Sequence, residues 1–215
     1  MNRFLMRYLP LSFCGLLLHC TSAYHSLRPA SVDVACASKI APSSMATSWY
    51  QASIDVGNKH LSGLVLIKVM PDSSRRVVFT SEAGVSFFDF GFSRPGKFTV
   101  YSILKKLNRK PVINTLRKDF ELMLGEPFTY GGLQSWKTPE EIFYGVGQKK
   151  ETAYFITDKD CSALQRLEWG TKRKRKVSIK ITGAGYPLPD TMNITHYTFP
   201  LQIRLTRFQK NDTSQ

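Results

Sequence analysis

The chain has 215 residues, 42% of them apolar and 12% aromatic, which excludes disorder throughout and suits one packed core. Its 30 Lys and Arg against 16 Asp and Glu give a formal charge of +14. Such an excess points to an anionic neighbour: a phospholipid or lipopolysaccharide surface, or nucleic acid.

The chain opens with Arg3 and Arg7, then an apolar run from Leu9 to Leu18, then His19 and Cys20. A short basic region, a hydrophobic stretch and a processing site are the plan of a signal peptide, expected over residues 1–19. The run is too short to span a ~30 Å hydrocarbon core as a permanent helix. Cys20 directly after it resembles the lipobox cysteine, at which bacterial lipoproteins are cleaved and diacylated. Leu17 fits the apolar position three before the cysteine, whereas His19 stands where Gly, Ala or Ser is usual. The other reading is ordinary cleavage after Thr21-Ser22-Ala23, which releases a soluble protein. Both export the working domain. An exported protein rarely meets nucleic acid, so a membrane surface is the expected anionic partner.

Residues 20–48 are rich in Ser, Ala and Pro without a sustained period and read as a lipidated N-terminus and flexible tether. A folded domain is expected over 49–208, followed by a tail over 209–215. From Trp49, apolar and polar residues alternate through Val56 as in a half-buried strand. Leu61–Met70, Arg75–Ser81 and Val85–Phe90 follow as strands separated by hairpin-length turns, an antiparallel meander. The period then changes. Phe98–Leu107 and Val112–Leu124 place apolar residues three and four apart, predicting two helices, the second with Pro111 at its start and Gly125 at its end. Gly125–Gly147 mixes Gly and Pro with aromatic residues and reads as irregular. Beyond it, Thr152–Thr157, Ala163–Trp169, Lys176–Thr182 and Met192–Phe208 contain alternating stretches and predict about four more strands.

No nucleophile elbow, Walker loop, His-Glu-x-x-His pair or dinucleotide fingerprint is present, and no catalytic residue is assigned. His19, His25, His60 and His196 are scattered, so no metal or cofactor site is assigned either. Asp158-Lys159-Asp160 reads as a polar loop, and His60 and His196 as packing or surface residues. Cys36 and Cys161 remain once Cys14 leaves with the leader and Cys20 is taken for lipid. Export permits them to pair, although the sequence does not bring them together. The run Lys172-Arg173-Lys174-Arg175-Lys176 lies at an expected turn. It reads either as a solvated hairpin tip or as a contact for anionic lipid, where each basic residue is worth about 1 kcal/mol. The aromatic groups around Phe87 and within Gly125–Gly147 read either as packing or as the lining of an apolar cavity.

The plan over roughly Trp49 to Phe208 resembles the LolA/LolB superfamily of bacterial lipoprotein carriers. The resemblance rests on the strand pair Trp49–Val56 and Leu61–Met70, the two-helix insertion Phe98–Leu124 and the strands returning after Thr152. Cys20 favours the outer-membrane receptor branch, and Thr21 after it, rather than Asp, resembles lipoproteins sent to that membrane. The resemblance implies an α+β fold: a curved, mostly antiparallel sheet, an incomplete β-barrel, covered by helices. It further implies a non-enzymatic, periplasm-facing lipoprotein of the bacterial outer membrane that takes acyl chains or lipoprotein cargo from a periplasmic carrier protein. A cavity lined by Ile54, Leu66, Phe79 and Phe87 is the expectation that follows. The alternative is a structural or interaction lipoprotein without a cavity, contacting anionic lipid or a protein partner.

Overall fold

The computed structural model of the chain describes residues 22–41, 45–93, 96–183 and 188–208. The leader over 1–19, Cys20 and the tail over 209–215 lie outside the described residues.

The described chain begins with β1 (Arg28–Ala30) and α1 (Val34–Ile40). A meander follows: β2 (Ser48–Val56), β3 (Lys59–Val69), β4 (Arg75–Thr80), β5 (Ser86–Ser93) and β6 (Lys97–Ile103). After α2 (Lys110–Met123) and a 3₁₀ turn (Glu126–Tyr130) comes a second meander: β7 (Leu133–Lys137), β8 (Glu141–Gln148), β9 (Glu151–Asp158), β10 (Leu164–Gly170), β11 (Arg175–Thr182), β12 (Thr191–His196) and β13 (Leu201–Arg207). β13 pairs antiparallel with β2, with Ile203 opposite Ile54, and so fuses the two meanders. β1 adds to β7, leaving one 13-stranded sheet whose edges are β1 and β6. The two edges do not pair, so the barrel is not closed.

Period-2 alternation gives this sheet an apolar inner face. Tyr50, Ala52 and Ile54 of β2 are buried while Gln51, Ser53 and Asp55 between them are not. The same rule buries Val65 and Ile67, then Val77 and Phe79, then Phe88, Phe90 and Phe92 on the next three strands. The connection from β6 to β7 runs from one edge of the sheet to the strand next to the other edge, and it carries α2 across this face. Phe120 of α2 meets Phe88 and Phe92 of β5, its Asp119 meets His196 of β12, and Lys118 O accepts from Trp169 of β10. Just past the helix, Phe128 packs on Phe155 of β9. Eight inter-strand steps separate β9 from β5, roughly 38 Å if flat, whereas a helix is only about 10 Å wide. The sheet therefore curls around α2. The fold is mostly β, with two α-helices among the described residues.

Three expectations are corrected. The Phe98–Leu107 stretch is not a helix: Lys97–Ile103 is the edge strand β6, paired to β5 from Phe92↔Phe98 to Phe88↔Ile103. Its run of Thr99, Val100 and Tyr101 favours a strand, and an edge strand with little buried surface carries no clear periodicity. Gly125–Gly147 is not irregular either, since β7 and β8 occupy most of it. Gly145 disguises β8 because it makes room for a ring: a Cβ there would sit 2.6 Å from a ring carbon of Trp136.

The third correction concerns the expected tether, which is folded over its described part. Ser22 Oγ donates to Lys172 O, and Ala23 N to Arg173 O, at the β10–β11 turn. Tyr24 then crosses the outer face over Gly170, where a Cβ would lie 2.3 Å from its hydroxyl. The chain joins the sheet edge as β1 and turns inward as α1, capped by Asp33, whose carboxylate accepts from Cys36 N. Cys36, Ala37 and Ile40 enter the main core. Cys36 is disulfide-bonded to Cys161, with 5.8 Å between their Cα atoms.

Candidate functional site: the inner face beneath the second helix

α2 carries Pro111 in its first turn, where a missing amide hydrogen leaves nothing unsatisfied, and ends before Gly125, whose φ of 71° suits a left-handed stop. Spacing of three and four puts Leu116, Phe120 and Met123 on one buried stripe, and Leu122 and Leu124 are buried beside it. Asp119 falls within that stripe and is fully buried.

The helix is fastened to the sheet at polar points set in this apolar surface. Asp119 Oδ2 lies 2.9 Å from His196 Nε2 on β12. Burial holds the Asp119 carboxyl above the ordinary aspartate range, against the opposing pull of His196. At the far end, Arg75 projects from the inner face of β4 and donates through Nη1 to Leu124 O at 3.1 Å and to Glu126 Oε1 at 3.0 Å. A cation there also complements the negative end of the helix dipole. Trp169 Nε1 donates to Lys118 O at 3.2 Å, while the Lys118 ammonium reaches Glu151 Oε2 at 2.6 Å.

Around these points the surface is largely aromatic. Phe87 stacks on Phe79 at 4.6 Å, Phe88 on Phe90 at 4.5 Å, and Phe98 approaches Phe90 edge-on at 5.2 Å. Ile54 and Phe79 share this inner face and are buried. Phe87 sits at a register shift, where Thr80 pairs with Ser86 and Phe79 with Phe88; the bulge lets it pack against the same core. Leu66 does not join them. It pairs with Trp49 and Val78, which lie between the inward residues of their strands, so it belongs to the outer face. Beneath α2 the buried side chains of helix and sheet form one continuous cluster. A recess of about 530 Å³ where β10 and β11 part, lined by Leu164, Arg166, Lys180 and Ile181, and a smaller one of about 280 Å³ between β2, β12 and β13 both lie elsewhere.

Other expected residues fall as follows. Lys172, Arg173 and Lys174 form the exposed β10–β11 turn. Arg175 and Lys176 already belong to β11 and are engaged: Arg175 with Glu168 at 2.9 Å, Lys176 with Glu151. Glu168 is fully buried and also receives Arg166 Nε at 2.6 Å and the Tyr24 hydroxyl at 2.9 Å. Burial and this carboxylate together push the Tyr24 phenol well up. Asp158 accepts from Ser162, bracing the β9–β10 turn. His60 pairs with Asp55 at 2.7 Å on the exposed outer face. Sequence reasoning missed Asp119, Arg75, Glu126 and Glu168. For Asp119 the signal was present, a carboxylate at stripe spacing between Leu116 and Phe120.

No family model and no curated protein matches the sequence. The structure is similar to that of a LolA superfamily protein from Nitrosomonas europaea, with a TM-score of 0.49 and 7% identity over 84% of this chain and 93% of that one. It is also similar to a DUF1329 family protein from Desulfovibrio piger, with a TM-score of 0.45 and 10% identity over 84% of this chain and 92% of that one.

Proposed function

We propose that the protein is a carrier that binds acyl chains, of a lipid or a lipoprotein, between the inner face of its sheet and α2. One observation carries this reading: a single 14-residue helix covers an aromatic face to which distant strands of a curled sheet contribute, fastened by a few polar contacts. The continuous cluster of helix and sheet side chains means that loading displaces α2 rather than filling a ready cavity. The magnitudes permit it. An acyl chain with about 15 methylenes gains roughly 12 kcal/mol on burial. Removing Leu116, Phe120, Leu122, Met123 and Leu124 from the same face costs roughly 7–15 kcal/mol. Helix and acyl chain are near-equal occupants, so transfer follows differences in affinity and needs no energy source in this chain.

The leader supports a lipid-anchored location through Cys20, and Thr21 beside it supports the outer membrane, facing the periplasm. A periplasmic carrier protein would then be the donor of cargo. The same continuous cluster also favours a second reading, a structural or interaction lipoprotein with no ligand.

Native mass spectrometry of the purified full chain, followed by lipid extraction, separates the two. The carrier reading expects a stoichiometric acyl ligand, present on purification or acquired from an added acylated peptide. Phe87→Glu should abolish it, whereas Leu66→Glu on the outer face should leave it. A mass that stays unliganded with the acylated peptide in excess would leave the second reading standing.

A further inference from the structure

In an antiparallel sheet alternate turns share an end, and here the two ends differ in charge. One end carries the β8–β9 turn with Lys149 and Lys150, the β10–β11 turn with Lys172, Arg173 and Lys174, and then the β12–β13 turn. All five basic residues are exposed, and none forms an ion pair among the described residues. Two carboxylates on the flanking strands are already taken: Glu151 by Lys118 and Lys176, Glu168 by Arg166 and Arg175. The β12–β13 turn presents Tyr197 and Phe199, 54% and 39% exposed. Tyr197 N donates to Lys176 O, and the Arg175 guanidinium lies 5.7 Å from the Tyr197 ring, tying the two turns together. Successive turns are about 10 Å apart along the sheet. The opposite end has no such excess, since Asp72, Glu140, Asp158, Asp160 and Asp190 on its turns lie together with Lys97, Lys137 and Lys159.

We propose that the basic, aromatic-tipped end of the sheet docks on an anionic phospholipid bilayer. The five cations meet lipid phosphates, and Tyr197 and Phe199 sit at headgroup level, where amphipathic and aromatic rings are favoured. The end of mixed charge then faces away, which fixes the orientation of the sheet. Ser22 is bonded to this same end and follows Cys20 by two residues, a reach of about 7 Å. A lipid on Cys20 and this surface would act on one membrane, and stable anchoring commonly takes two such signals. The proposal does not depend on an acyl ligand inside the fold.

The test is co-sedimentation of the full chain carrying Cys20→Ala with vesicles of phosphatidylcholine alone or with 30% phosphatidylglycerol. The expected result is partitioning that rises with phosphatidylglycerol and falls with salt. Lys172→Gln/Arg173→Gln/Lys174→Gln should lower it about a hundredfold, at about fivefold per charge. Lys97→Gln/Lys137→Gln/Lys159→Gln, neutralising three exposed lysines at the opposite end, should leave it unchanged. Unaltered binding by the first variant would overturn the proposal. Equal losses in both variants would overturn it too, because net charge alone would then explain the binding. Circular dichroism of both variants checks that their folds match.

Discussion

Asp119 and His196 are 77 residues apart in sequence, yet they meet 2.9 Å apart beneath α2. Removing one member of a buried hydrogen-bonded pair strands the other, at a cost of about 1–3 kcal/mol. His196→Ala should therefore lower stability by about that much in denaturant titration. Asp119→Leu/His196→Leu should recover most of it, because the apolar stripe is then continuous. The carboxyl also sets a pH dependence. Burial raises its pKa, so the stability gained by keeping it neutral is complete below the ordinary aspartate range and is lost as pH rises through the raised value. Asp119→Asn should flatten that fall in a series of melts across the acidic range. Tyr24 poses a related question on the outer face. Tyr24→Phe removes a hydrogen bond to buried Glu168 and should cost about 1–3 kcal/mol, whereas Gly170→Ala, which crowds the same ring, should release the N-terminal segment to protease. Asp119 was legible in the spacing of its helix. Glu168 was not, because its Tyr24 partner lies 144 residues away.

At the scale of elements, strands with clean alternation were legible and those built on exceptions were not. β2 and β13 show their inner faces in the sequence: Tyr50, Ala52 and Ile54, then Leu201, Ile203 and Leu205. β3 is apolar on both faces, and its period alone leaves Leu66 ambiguous; register with Trp49 and Val78 settles it. β6 has helix-like spacing but lies at an edge, where pairing to β5 decides. The N-terminal segment reads as a tether because a three-residue strand and a seven-residue helix are too short to show periodicity. Its hold on the fold is covalent through Cys36–Cys161, which closes a loop of 125 residues. Chain-entropy reasoning makes that link worth about 4–5 kcal/mol. Cys36→Ser/Cys161→Ser should lower the calorimetric Tm by about 10 °C, at roughly 2–4 °C per kcal/mol for a domain of this size. A shift below a few degrees would mean that β1 and α1 are held by packing alone.

For the whole molecule, composition indicated a basic protein, but the placement of that charge needed topology. Which turns share an end follows from strand order, and strand order depends on the pairing of β13 with β2 across more than 140 residues. The curl likewise depends on α2 linking opposite sides of the sheet, which no local pattern announces. The central claim is that α2 and an acyl chain compete for one face. A pair of spin labels tests it most directly, one on exposed Asn114 of α2 and one on exposed Gln202 of β13, with distances measured by pulsed electron paramagnetic resonance. The carrier account predicts that a saturating triacylated lipopeptide lengthens the distance and that the unacylated peptide does not. A distribution unchanged by the acylated ligand would contradict it.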